Sequence, residues 1–211
     1  RVATEALGDR RGAVVAMDPA TGGVLALVST PVFDGNLFVN GISSRAYAAL
    51  RDSPDVPLFN RTVQGQYPPG STVKPMLALA GLEAGLIDPE FTVPDPGWYR
   101  LPGDRRRYRD WILRIRGTGH APEVDLKMAI AESCDVYFYD LARRLSVDGI
   151  HDYLAHFGLG ERTGVDTTAE RPGVLPSRAW KRAAMNQPWY PGETVIAGIG
   201  LVRGRLTMVS A

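Results

Sequence analysis

Tyr67-Pro68-Pro69-Gly70-Ser71-Thr72-Val73-Lys74-Pro75, running on into Met76-Leu77-Ala78-Leu79-Ala80, is the stretch on which the reading of this chain turns. The Pro-Pro-Gly turn halts whatever precedes it, and the Leu/Ala-rich run after it predicts a buried helix. Ser71 therefore falls at or just before a helix N-terminus. Pro75 fits there, because the first helical turn has no use for the N–H that proline lacks. Lys74 follows three residues on, one turn along and on the same face. A hydroxyl beside an amine at a helix start suits nucleophilic catalysis. The plainer reading makes Ser71 an N-cap and Lys74 a solvated first-turn residue. Against it stands the helix dipole, which favours acidic side chains in that turn. The pattern is short, yet the chain has only three lysines, Lys74, Lys127 and Lys181.

Composition narrows the class. With 211 residues, 45% hydrophobic, 22% charged and net charge +1, the profile is that of an ordinary globular chain. The near-neutral balance gives no reason to expect nucleic acid. The run Arg105-Arg106-Arg107-Tyr108-Arg109 is too short and too mixed with acids to read as a nucleic-acid patch. No apolar run is long enough to span a membrane. A single cysteine, Cys134, rules out an internal disulfide.

Outward from Ser71, the helix is expected to reach about Ala84 and stop at Gly85. Upstream, Gly12–Asp18 and Gly23–Ser29 are short apolar runs joined by Pro19-Ala20-Thr21-Gly22, a β-hairpin pattern whose continuous apolarity predicts strands covered on both faces or inside a sheet. Residues 30–66 read as a long surface excursion with a short helix near Ser44–Leu50. Downstream, residues 86–121 hold turn formers, aromatics and charges. A second helical region covers roughly Val124–Leu145, interrupted by Ser133-Cys134-Asp135, residues that favour caps and turns. A shorter helix is expected over Val147–Phe157, and another near Arg178–Ala184.

Three features share one order: the Asp18-Pro19-Ala20-Thr21-Gly22-Gly23-Val24-Leu25-Ala26 hairpin, Ser71-Thr72-Val73-Lys74, and Ser133-Cys134-Asp135. That order resembles the transpeptidase domain of penicillin-binding proteins, relatives of the serine β-lactamases. Asp95-Pro96-Gly97-Trp98-Tyr99, Arg107-Tyr108-Arg109-Asp110-Trp111, Gly164-Val165-Asp166 and Gln187-Pro188-Trp189-Tyr190-Pro191-Gly192 sharpen the resemblance toward the class B, elongation-specific penicillin-binding protein 2 group. The resemblance implies an α/β (α+β) serine-acyltransferase fold, an antiparallel sheet flanked by helices. It also implies that residues 1–211 are part of a transpeptidase domain, without the N-terminal pedestal and membrane anchor and without the C-terminal Lys-Thr-Gly strand. On that expectation this stretch alone acylates poorly with β-lactam.

Acyl transfer needs a nucleophile, a base, a proton relay and an oxyanion hole. Ser71 is the candidate nucleophile and Lys74 the base. Ser133 is the candidate relay, and Asp135 orients Lys74 or the substrate amide. Burial would favour the neutral amine a base requires, whereas an anionic Asp135 would favour the ammonium; the two oppose one another. The backbone N–H of Ser71 supplies one oxyanion donor. The implied activity is D,D-transpeptidation of peptidoglycan stem peptides ending in D-Ala-D-Ala, with β-lactams as suicide acyl donors and no cofactor needed. A serine β-lactamase and a non-catalytic penicillin-sensing domain are the alternatives. The resemblance further implies an inner-membrane anchor, a periplasmic catalytic domain, a SEDS-type glycosyltransferase partner and elongation scaffold proteins.

Asp95, Asp110, His120 and Cys134 offer two carboxylates, an imidazole and a thiol, a set that zinc accepts tetrahedrally. Each also has a bland role: Asp95 as a turn residue, Asp110 paired with an arginine, His120 in a glycine-rich loop, Cys134 as a small core residue. The resemblance favours the metal, since members of the elongation subgroup carry a structural zinc on Asp, Asp, His and Cys. The Asp110–His120 spacing holds a few extra residues, Ile112 to Gly117.

Overall fold

The computed structural model describes residues 1–167 and 169–201, and the chain packs as two compact units. Where the resemblance implies a Gly-x-Gly-Gln-Gly region, this chain departs from it with Gly198-Ile199-Gly200-Leu201-Val202-Arg203-Gly204-Arg205, and beyond Leu201 that stretch lies outside the described residues.

The first unit comprises Arg1–Gly65 with Arg162–Arg171. It contains α1 (Val2–Leu7), β1 (Gly12–Met17), β2 (Val24–Thr30), α2 (Ser44–Arg51) and α3 (Arg61–Gln64). β1 and β2 pair antiparallel, with Val14 opposite Val28 and a bulge at Ala16/Met17. The turn between them is set by Asp18, whose carboxylate accepts from Ala20 N–H at 2.9 Å and Thr21 Oγ1 at 2.7 Å. Those bonds, the threonine's first, hold the Asp18 carboxyl below its ordinary range. Gly22 then takes φ +72°, a conformation that favours glycine. The hairpin forms as its sequence predicts, but it is not covered on both faces among the described residues: Leu25 is 73% exposed, and Met17, Val24 and Leu27 are exposed too.

The second unit begins at Gln66–Glu161 and resumes at Pro172. It holds α4 (Lys74–Glu83), β3 (Val93–Pro94), β4 (Trp98–Tyr99), β5 (Tyr108–Arg109), α5 (Leu113–Arg116), β6 (Glu123–Val124), α6 (Leu126–Ala131), α7 (Asp135–Ala155), α8 (Arg178–Met185) and α9 (Pro191–Ala197). β3 pairs with β6 and β4 with β5, both antiparallel. α7 is the axis of this unit. Val136, Tyr137, Phe138, Leu141, Ile150 and Leu154 along it are all within 1% of full burial.

Two glycines let neighbouring helices close on that axis. A side chain at Gly81 of α4 would strike Leu141 and Ile87, and one at Gly198, just after α9, would strike Ala142 and the Phe138 carbonyl. The division expected between Leu145 and Val147 is present within α7. Ser146 within it carries φ 63° and ψ 164°, so the division survives as a kink.

Candidate active site

The catalytic candidates come from two helix starts. Gly70–Val73 forms a 3-10 turn that feeds straight into α4, so Ser71 sits one turn ahead of Lys74, whose N–H donates to the Ser71 carbonyl. Gly70 takes φ +61° and donates its N–H to the Gly200 carbonyl at 3.2 Å. A side chain on Gly200 would collide with the Gly70 backbone, so the catalytic turn is braced by close backbone packing. Ser71 is exposed, as a nucleophile must be to meet a substrate. Its N–H, in the first turn, has no acceptor within that turn.

The other three candidates arrive at a helix junction. α6 closes with Cys134 N–H donating to Ala129 O at 3.0 Å and Ser133 N–H to Ile130 O at 3.3 Å, a Schellman arrangement with Ser133 in the left-handed position at φ +53°. Glycine is the usual occupant there, and a serine costs on the order of 1–2 kcal/mol of backbone strain. A strained non-glycine residue so placed points to a side chain that matters. α7 starts immediately after. Its first N–H groups, those of Asp135 and Val136, donate to Asp110 Oδ2 at 2.7 and 3.2 Å, so a distant carboxylate caps the helix.

Lys74 is only 2% exposed and is met by three acceptors. Its Nζ donates to Asp135 Oδ1 at 2.6 Å, Ser133 O at 2.8 Å and Ser133 Oγ at 3.1 Å. The Phe138 ring, with its centre 5.3 Å from Nζ, closes a further side. Burial pushes the Asp135 carboxyl up, and the Lys74 charge opposes that. The structure therefore brings Lys74, Ser133 and Asp135 into one cluster. Ser71 lies one turn away, and among the described residues its hydroxyl makes no hydrogen bond to Lys74; such bonds commonly tighten only with substrate bound.

The four candidate metal ligands also converge. One donor atom from each of Asp95, Asp110, His120 and Cys134 lies within 4.8 Å of all the others. Cys134 Sγ is 3.6 Å from Asp95 Oδ2, and His120 Nε2 is 3.3 Å from Asp110 Oδ1. The extra residues before His120 fold into α5, and the left-handed Gly117 ends it, which returns the imidazole to Asp110. Gly119 is needed beside it, since any side chain there would run into Asp95. Among the described residues Asp110 is paired with no arginine; its oxygens accept from backbone N–H groups of residues 112, 135 and 136. Burial, and then the charges of Asp95 and Asp110, push the Cys134 thiol up. Two buried carboxylates, a thiol and an imidazole gathered this closely fit a divalent cation, which would relieve the crowding of negative charge.

Three contributors escape sequence reasoning. Trp111 donates its indole N–H to the Ser133 carbonyl at 3.1 Å. Glu132 Oε2 accepts from His120 Nδ1 at 3.0 Å and so turns Nε2 toward the cluster. Phe138 walls Lys74. Only adjacency flagged them: Trp111 follows Asp110, and Glu132 precedes Ser133.

Comparison with known proteins identifies the family of this chain. The family described as Penicillin binding protein transpeptidase domain matches residues 12–211. Peptidoglycan D,D-transpeptidase MrdA of Acinetobacter baumannii is 48% identical over 199 residues, which covers 94% of this chain and 29% of that protein. The crystal structure of Pseudomonas aeruginosa PBP2 in complex with WCK 5153 aligns with a TM-score of 0.88 at 52% identity, over 97% of this chain and 43% of that one. The complex between PBP2 and MreC from Helicobacter pylori aligns at 0.86 and 37% identity, over 94% and 36%. The chain thus spans about 29% of the length of that curated relative.

Proposed function

The chain belongs to the penicillin-binding protein transpeptidase family, and on that premise we propose that the whole protein is a peptidoglycan D,D-transpeptidase of the elongation-specific kind. The observation that carries the proposal is the buried Lys74 amine held between Ser133 and Asp135, one turn from an exposed Ser71. In the first step Ser71 Oγ bonds to the carbonyl carbon of the penultimate D-Ala of a stem peptide. The amide C–N bond breaks and D-Ala leaves as the amine. The hydroxyl proton passes by way of Lys74 Nζ to Ser133 Oγ, 3.1 Å away, and from there to the leaving nitrogen. The Ser71 N–H donates to the developing oxyanion. An acceptor amine then attacks the ester and restores Ser71. A β-lactam follows the first half of this course, its ring amide opening on Ser71.

Asp95, Asp110, His120 and Cys134 would hold a structural zinc, with Glu132 orienting the imidazole. Bound there, zinc supplies charge neutralisation and a rigid cross-link. Cys134 stands between Ser133 and Asp135, so fixing its sulfur fixes both neighbours. The relative solved with MreC supports a scaffold partner for the whole protein. A SEDS-type glycosyltransferase partner, an inner-membrane anchor and a periplasmic location belong to the same reading. Among the described residues no helix is long and apolar enough to cross a membrane.

The test is transpeptidation of lipid-linked substrate by the full-length protein. Cross-linked product is expected from the parent, and a loss of roughly a thousandfold or more is expected from Ser71→Ala. Equal cross-linking by parent and variant would reject the proposal.

A further inference from the structure

A cavity of about 840 Å³ opens between the β4–β5 hairpin, α7 and α9, and none of its lining residues belongs to the catalytic or metal clusters. Its floor is apolar, formed by Leu101, Tyr108 and Ile196, while the exposed Arg106, Arg143 and Tyr190 stand at its rim. The charges there are uneven. Among the described residues neither Arg106 nor Arg143 is paired with a carboxylate. Two carboxylates share the cavity, but Glu193 is committed: it accepts from Lys181 Nζ at 2.6 and 2.7 Å and from Tyr190 N–H at 2.8 Å. Asp104 accepts the Arg106 backbone N–H at 2.9 Å and is the lesser counterweight, because Arg105 and Arg107 flank it on the same loop.

The walls are fixed in place. Lys181, 4% exposed, anchors Glu193 and lies with its Nζ 4.8 Å from the Tyr190 ring centre. Gly192 abuts Tyr108 so closely that any side chain would strike the phenol oxygen. An apolar concavity of this size accommodates a short peptide or small molecule, and guanidiniums at its rim without a carboxylate partner among the described residues, Arg106 resting on the Tyr108 ring 4.7 Å away, select carboxylates. A membrane surface or a flat acidic protein face would need no such concavity. The hairpin forming one wall also continues from Tyr108 to Trp111, which donates to the Ser133 carbonyl. Three residues of chain span at most on the order of 10 Å. A peptide of a few residues reaches as far.

We propose that this cavity is a carboxylate-binding subsite for the peptide part of the substrate strand. Arg106 and Arg143 hold a carboxylate there, several residues from the bond that Ser71 attacks. The inference rests on the transpeptidase reading and adds to it the recognition of an acidic peptide. Its test uses the full-length protein carrying Ser71→Ala, so that binding is read without turnover. Calorimetric titration employs a soluble stem pentapeptide, and the same peptide with its side-chain carboxylates amidated and its terminal carboxylate free. Combining Arg106→Gln with Arg143→Gln is expected to weaken the acidic peptide about tenfold and to leave the amidated one unchanged. Both positions are exposed, and an unaltered melting temperature verifies the fold. Affinity for the acidic peptide within twofold of the parent overturns the subsite, as does an equal loss for both peptides. Loss of polyglutamate binding with the pentapeptide unaffected also overturns it, and would make the cavity a protein-docking face. Penicillin labelling of Ser71 in the protein that retains Ser71 reports on the transpeptidase reading separately. No adduct there sinks that reading, whereas an adduct together with arginine-insensitive peptide binding sinks the subsite alone.

Discussion

Lys74→Ala is expected to slow acylation of Ser71 by labelled penicillin by on the order of a thousandfold, within the range set by removing a positioned general base. The substitution takes away the amine that donates to both Ser133 Oγ and Asp135. It also strands the Asp135 carboxylate, in a residue only 8% exposed, without its cation. Breaking one side of a buried ion pair costs about 3–5 kcal/mol. The variant should therefore be destabilised as well as inactive, and a second substitution separates the two effects. Lys74→Ala combined with Asp135→Asn removes the stranded charge, so much of the urea stability should return while acylation stays lost. Rapid-quench labelling and urea titration of the full-length protein make the comparison. Acylation within tenfold of the parent in Lys74→Ala would remove Lys74 from the mechanism. Recovery of acylation in the double variant would show that its role is structural.

The second large effect is expected at Cys134. Cys134→Ser replaces a soft zinc ligand by a poor one while changing little in volume. The full-length parent should contain one zinc per chain by elemental analysis, and the variant a small fraction of that. Because a structural zinc contributes folding free energy directly, the loss should be on the order of 3 kcal/mol or more. At roughly 2–4 °C per kcal/mol, the melting temperature should fall by about 6–12 °C. Penicillin acylation should fall with it, since Ser133 and Asp135 flank the lost ligand in sequence. Glu132→Gln should have a milder effect, lowering zinc affinity by about 10–100-fold through the misoriented His120. Folded, fully active parent protein without zinc would reject the metal site.

How much of this was legible beforehand differs from one element to the next. The Ser71 turn and its helix were readable because proline, glycine and an apolar run act over a few residues. The hairpin was readable because Asp18 and Gly22 encode its turn locally. Its coverage was not, since apolar runs state a preference for burial and not what is at hand to bury them. The break at Ser133-Cys134-Asp135 was expected from cap-forming residues, yet its form was hidden: glycine is the usual sign of a Schellman turn, and here a serine bears the strain. The division expected between Leu145 and Val147 falls at Ser146, whose non-helical backbone kinks α7 there. The ligand set at Asp95, Asp110, His120 and Cys134 was a hypothesis of residue type, and only the folded chain brings the donors within 4.8 Å. Trp111, Glu132 and Phe138 were invisible as contributors because their roles depend on direction. An indole N–H aimed at a carbonyl leaves no sequence pattern.

The account stands or falls on Ser71 as the acylated residue. The direct measurement is to label the full-length protein with penicillin, digest it, and locate the adduct by mass spectrometry while following its lifetime. A single adduct on the peptide containing Ser71, persisting long after free penicillin is removed, is the predicted result. An adduct at another residue, or none, would contradict the account. Rapid release of hydrolysed penicillin from Ser71 would contradict it too, and would make the protein a β-lactamase.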